Sequence, residues 1–267
     1  MTMKNFRVRL LGMLLQFGFA RDGIFYFITI AVGAAAGLIA VLFHLAIEGT
    51  HELLFGAGGP GAISRPWFLI ALIPAGGAVL AALFLHFVPE ARGSGIPQTK
   101  IAYFVHNGRI PLRVWLGKFL IGTLNIGSGS SLGREGPTVQ ICAGLASWIG
   151  QIFSLKRQRI QELVPVGAAA GLAAAFNTPI AAVTFTLEEI VGDLNARVLG
   201  SIVLASVSAA VVERAILGNQ PVFSVPEYSL GSPLELLLYA IVGVVCAAMS
   251  VVFIKGLLFL RGQWKRL

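Results

Sequence analysis

Three short stretches place glycine, proline and a polar side chain in an order that opens a helix: Gly93-Ser94-Gly95-Ile96-Pro97, Gly133-Arg134-Glu135-Gly136-Pro137 and, less specifically, Asn177-Thr178-Pro179. Proline is favoured at the first position of a helix, serine is a good N-cap, and glycine leaves backbone N–H groups uncovered. Helices are therefore expected to start near Pro97, Pro137 and Pro179. Each such amino terminus carries roughly half a positive charge plus unpaired donors. It can hold an anion without a bare Lys or Arg, whose full counter-charge would trap the ion instead of passing it on. Glu135 adds a second chemistry. Between Lys118 and Lys156 the only charged residues are Arg134 and Glu135, and an ionisable group in such a setting costs several kcal/mol at membrane depth unless partnered. Ionised beside a helix amino terminus, it imitates an anion and fills the site; protonated, it releases the site. That is a gate worked by one proton.

Each residue also has a plainer reading. Ser94 can be an ordinary N-cap at a loop. The stretch Gly127-Ser128-Gly129-Ser130-Ser131 suits close helix packing through small residues as well as it suits an anion path. Glu188 and Glu189 can be a solvated pair at a helix end, and Lys118, inside an apolar run, can snorkel to an interface.

The elements that must position these residues are apolar. Of 267 residues, 12% are charged and 56% hydrophobic before glycine is counted, with 32 glycines and a mean hydropathy of +0.83. That places the chain in the integral-membrane class. The net charge of +8 lies in short basic runs between apolar stretches, a membrane-topology pattern rather than a nucleic-acid face. Cys142 and Cys246 both lie in apolar runs and read as small core residues, not a disulfide framework. Ile24–Ile47, Pro66–Pro89 and Leu236–Ile254 are long enough to cross the hydrocarbon core, and Val198–Val212 becomes so if it extends into its flanks. The first of these is too long for a signal peptide and lacks a small-residue cleavage site. Between the spans lie three broken runs, Phe119–Leu132, Gly136–Leu155 and Leu163–Leu187.

The positive-inside rule threads them. With the groups at Lys4–Arg21, Arg92–Arg113, Lys156–Arg159, Arg197 and Lys255–Arg266 on the cytoplasmic side, 16 of 20 basic residues obey the rule. Arg65 and Arg214 are then outside, and Lys118 and Arg134 at membrane depth. This requires the first two spans to form a hairpin, the segments around Gly127–Gly136 to enter and return, and Leu163–Leu187 to break at Asn177 into two half-helices. Irregular backbone at that depth belongs where it lines a polar cavity, which points to a transport site.

The two pentapeptides, together with Gly167–Pro179 leading to Glu188-Glu189, resemble in order and spacing the amino-terminal half of the CLC chloride channel and chloride/proton antiporter family. The resemblance implies an all-α integral membrane fold of tilted, broken and half-spanning helices: a first inverted repeat plus the next helix. The chain then divides into a cytoplasmic amino-terminal segment (1–23), the repeat (24–217), an extracytoplasmic loop (218–233) and the first helix of an otherwise missing second repeat (234–267). It implies chloride transport, coupled to protons, with no cofactor and no metal. Gly93, Ser94, Gly95, Ile96 and Pro97 with Gly133, Arg134, Gly136 and Pro137 would form the anion site, and the Ser94 hydroxyl would coordinate the ion. Glu135 would gate, Glu189 would pass protons, and Lys118 would raise the potential of the path. The partners implied are chloride, the lipid bilayer of the cell inner membrane and a second copy in a homodimer. A complementing second half is also expected, since the Gly-x-Phe-x-Pro helix start and tyrosine that complete the family's site have no counterpart here. Gln98 and Lys100 stand where relatives often carry carboxylates.

Rival functions are a passive voltage-gated-type chloride channel and a non-transporting membrane subunit. An intramembrane hydrolase built on Ser128, Ser130 or Ser131 would need a base, and His44, His51, His86 and His106 are all remote from them in sequence. An ATPase fails because the glycine-rich loop lacks a Gly-Lys-Ser/Thr ending. The expectation is a transporter, not an enzyme.

Overall fold

The computed structural model describes residues 21–56, 66–193, 196–218 and 231–264. The segment before Arg21, Arg65, most of the 218–233 loop, and the terminal Lys265 and Arg266 lie outside the described residues. Contacts divide the chain into a unit ending at Val222 and another beginning at Phe223. Among the described residues the regular structure is entirely helical.

Among the described residues the first unit starts with α1, Arg21–Phe55, then α2, Trp67–Phe87, and a 3-10 turn at Pro89–Ala91. There follow α3 (Ile96–Phe104), α4 (Leu112–Gly127), α5 (Glu135–Ile152), α6 (Arg157–Phe176), α7 (Pro179–Phe185), a π-helical turn (Thr186–Val191) and α8 (Ala196–Leu217). Helix α1 runs a further two turns past Ile47 because its polar residues are satisfied along its own surface. Glu48 Oε1 pairs with His44 Nε2 at 3.2 Å, and Thr50 Oγ1 donates to the Ala46 carbonyl at 2.7 Å. Among the described residues four helices are long and apolar enough to cross a membrane, Gly23–Phe55, Phe68–Phe87, Val198–Leu217 and Glu235–Gln263, and each contains most of a span expected from the sequence.

Helix α6 is the core. Every residue from Leu163 to Ala175 is buried, with α5, α1 and α8 packed around it. The packing is close because small residues let backbones meet. A Cβ on Gly167 would lie 2.4 Å from the Cys142 carbonyl oxygen, and one on Gly37 would lie 2.8 Å from that of Ala209. One helical turn earlier the same seam joins Gly33 to Ala205, where the distance would be 2.6 Å. Gly33→Ala should therefore force α1 and α8 apart, at about 1–3 kcal/mol. The expected result is a lower thermal midpoint in detergent, unmatched by Gly200→Ala, whose nearest neighbour is the Tyr26 ring edge at 4.0 Å.

Two expectations change here. The run to Leu187 does break at Asn177, whose φ of +55° lies in the left-handed region that Asn tolerates, and Pro179 opens α7. The piece before the break is no half-helix, however: α6 has 20 residues, because Arg157 to Glu162 extend it by a polar stretch that carries an Arg159–Glu162 ion pair. The glycine- and serine-rich stretch packs instead of lining a path. A Cβ on Gly127 would meet Thr50 Cβ at 2.7 Å, and one on Gly129 would meet the Phe55 ring at 3.1 Å.

The second unit is α9, Glu235–Trp264. It is exposed from Leu236 to Gln263, so Cys246, expected in a core, is exposed, while Cys142 is buried. An unbroken apolar run with no polar face reads the same whether protein or lipid covers it.

Candidate functional site

Two of the expected helix starts meet. Gly95 is the N-cap of α3, with φ +115°, and a Cβ placed on it would lie 2.2 Å from the Gly136 carbonyl oxygen. Conversely, a Cβ on Gly136 would lie 2.2 Å from the carbonyl oxygen of Ser94. Nothing larger than glycine fits at either position, so the amino-terminal ends of α3 and α5 touch backbone to backbone. Both ends open on one cavity of 590 Å³. Gly93, Ser94 and Ile96 line it from the α3 side, and Gly133, Glu135, Gly136 and Pro137 from the α5 side.

The local chemistry of each start departs from the simplest expectation. Ser94 is not the cap: Gly95 holds that position, and its N–H donates to Gln98 Oε1 at 2.9 Å. The Ser94 side chain is thereby left at the cavity wall. Gln98, a departure in the sequence, reaches back to the N–H of the cap residue, the N3 half of a capping box. Helix α5 begins at Glu135 with Arg134 as N-cap, so Pro137 sits third in the helix rather than first, still within the turn whose N–H groups lack intrahelical acceptors. The Glu135 carboxylate folds back over Gly133, where a Cβ would lie 2.0 Å from Oε2. A negative group thus lies across the positive end of its own helix, where it is favoured.

Lys118 on α4 supplies the cavity's buried cation. It is 5% exposed, and Nζ donates to the carbonyls of Ala91, at 3.0 Å, and Gly93. It does not snorkel; it pins the loop that carries Ser94. Lys118→Met should leave those carbonyls without their donor and cost about 2–3 kcal/mol, read as a lower thermal midpoint and earlier proteolysis in the 91–95 loop. Arg92 also lines the cavity. By charge alone it reads as a topology marker, although its adjacency to Gly93 is a signal that it belongs beside the helix start.

Three expected site residues lie elsewhere. Pro97 is exposed on α3. The Arg134 guanidinium turns away, donating to His44 Nδ1 and, at 3.1 Å, to the Ala175 carbonyl, and it lines a second cavity of 290 Å³. Glu188 and Glu189 are exposed on the π-helical turn, which packs against α3, and neither lines the Ser94 cavity. Two serines of the glycine-rich stretch are structural: Ser128 Oγ donates to the Asn125 carbonyl and Ser130 Oγ to Asn125 Oδ1.

Long apolar helices, a helix broken at Asn177 and two helix ends meeting at a cavity mark an integral membrane protein. The voltage gated chloride channel family matches residues 76–267, and the chain belongs to that family. It is 34% identical over 238 residues to the H+/Cl− exchange transporter ClcA of Vibrio cholerae, which covers 85% of this chain and 50% of ClcA. It is 33% identical to the chloride channel protein CLC-f of Arabidopsis thaliana, over 83% of this chain and 30% of that one. Among solved structures, a slow cyanobacterial Cl−/H+ antiporter superposes with a TM-score of 0.77 at 29% identity, covering 91% of this chain and 58% of the antiporter. A CLC-type fluoride/proton antiporter shares the fold with a TM-score of 0.66 at 23% identity, over 85% of this chain and 56% of that one. The chain spans about half the length of the exchangers it matches.

Proposed function

We propose that this chain carries one half of a chloride/proton exchange pathway gated by Glu135. The observation that carries the reading is the Gly95–Gly136 contact, which turns two positive helix ends onto one cavity. Gly93, Ser94, Gly95, Ile96 and Pro97 with Gly133, Arg134, Gly136 and Pro137 are the anion-binding segments. Ser94 Oγ and the backbone amides of Ile96 and Gly136 are the donors that face the ion. Lys118 acts as a fixed positive charge beneath the ion, its protons already held by carbonyls. Glu135 competes with the anion when ionised and yields when protonated.

Residues 24–217 act as the first repeat and 234–267 as the start of a second, with the amino terminus cytoplasmic in the inner membrane, as a homodimer joined by a complementing half. No cofactor takes part; chloride and protons are the cargo.

The test is chloride efflux from liposomes containing the polypeptide alone, then with a second half supplied from a relative. Efflux in either case supports the pathway; silence in both rejects it. Glu189 carries proton coupling in this reading, so Glu189→Gln should keep chloride flux and stop proton movement, measured as the reversal potential under a pH gradient. A passive channel is the second reading, favoured by the exposure of Glu189 away from the cavity. It predicts no shift of reversal potential with pH in the unmodified chain.

A further inference from the structure

The second cavity shares no lining residue with the one that Ser94 lines. It lies between α1, the start of α5 and the ends of α6 and α8, and His44, Arg134 and Glu213 face it. The hydrogen-bond directions at His44 are fixed by its partners. Arg has donors only, so His44 Nδ1 accepts from Arg134. The imidazole then carries its proton on Nε2 and donates it to the Glu48 carboxylate. Neutral His44 is thus the acceptor that, with the Ala175 carbonyl, holds the guanidinium preceding Glu135. Across the cavity stands Glu213, 5% exposed, whose Oε2 has no hydrogen-bond partner among the described residues. Its neighbour Arg214 is engaged elsewhere, donating to Asn177 Oδ1 at 2.6 Å.

A proton on Nδ1 changes this arrangement. The imidazolium has no lone pair for Arg134 and sets a second positive charge against it, while Glu48 gains attraction for the ring. Glu213 Oε2, without a hydrogen-bond partner among the described residues, lines the same cavity as an acceptor for Arg134. We propose that His44 is a proton-operated positioning residue: neutral, it holds Arg134 in place at the start of α5; protonated, it hands Arg134 to Glu213 and loosens the helix start that carries Glu135. The inference rests on the anion-pathway reading for its link to the gate, and on the side-chain geometry alone for the switch. The charged and titratable groups facing His44 are Glu48 on its own helix, Arg134 from α5 and Glu213 from α8.

The test separates the two. In 15N spectra of the histidine- and arginine-labelled chain in detergent, His44 should show the Nε2–H tautomer at alkaline pH. The Arg134 Nε resonance, assigned with Arg134→Lys, should move on acidification together with the His44 signals. His44→Gln, which keeps an acceptor for Arg134 but cannot titrate, should abolish that movement, and Glu213→Gln should reduce it by at least half. An Nδ1–H tautomer, or an Arg134 response unchanged in His44→Gln, overturns the switch. In liposomes that pass chloride, His44→Gln should alter the pH profile of flux but have no effect when Glu135→Gln is also present. An equal effect in both backgrounds overturns the link to the gate. Absence of chloride flux from every preparation rejects the pathway reading, and the link with it, while the spectra still decide the switch.

Discussion

Gly95→Ala should abolish anion binding and lower the thermal midpoint. Two independent costs meet at this position. The backbone has φ +115°, a conformation that costs a non-glycine residue about 1–3 kcal/mol. The added methyl would also lie 2.2 Å from the Gly136 carbonyl oxygen and 2.7 Å from its carbon, which are backbone atoms at a helix start and cannot rotate aside. Overpacking of that kind adds about 1–3 kcal/mol. The sum is about 2–6 kcal/mol, and the relief available is separation of α3 from α5, which dismantles the convergence of the two helix ends. Calorimetric titration with chloride should show no binding. Gly76→Ala, with nothing within 4 Å of its added Cβ, is the control that should leave binding intact. A Gly95→Ala chain that bound chloride with undiminished affinity would mean that the two ends need not touch to make the site.

Glu135→Gln should have the opposite character, a gain of anion occupancy with loss of regulation. A carboxylate and a chloride ion about 4 Å apart repel by about 4 kcal/mol at an effective dielectric constant of 20. Removing the charge while keeping the shape should therefore raise apparent chloride affinity at alkaline pH at least tenfold. The sign follows from the gate: in the unmodified chain, acid protonates Glu135 and frees the site, so flux rises as pH falls. In Glu135→Gln, the flux contributed by this gate should be the same at acid and alkaline pH and should match the acid limit of the unmodified chain. The measurement is chloride efflux across a pH series in liposomes, with the complementing half present if the chain alone is silent. Complete loss of flux would remove Glu135 from the gate and make it a structural group.

What could be read in advance was local. The break at Asn177-Thr178-Pro179 was legible because each residue acts within one turn: Asn takes the left-handed conformation, and Pro opens the next helix. The two glycine-proline pentapeptides announced helix starts for the same reason. Their meeting was not legible, because the Gly95–Gly136 contact joins positions 41 apart through tertiary packing. The cap exchange between Ser94 and Gln98 was missed because both residue types can close a helix start, and only the positive φ of Gly95 decides between them. Arg134 was assigned to the anion site from its motif, yet its partner His44 lies 90 residues earlier. Lys118 could have snorkelled; it is held inside by the carbonyls of Ala91 and Gly93, which no periodicity reveals. Arg92 looked like a marker of membrane sidedness because charge counting ignores where a side chain points.

The glycine seam between α1 and α8 bears on the birth of the protein. Gly33 and Gly37 fit against Ala205 and Ala209, so α1 completes its packing only against α8. At translation rates of about 5–20 residues per second, some 9–34 s separate the synthesis of the two faces. During that interval the notch on α1 must stay free of other small-residue helices in a crowded bilayer. Assembly of the unit is therefore gated by the arrival of α8, and a ribosome that stalls before it leaves α1 with an open seam, a ready target for membrane quality control.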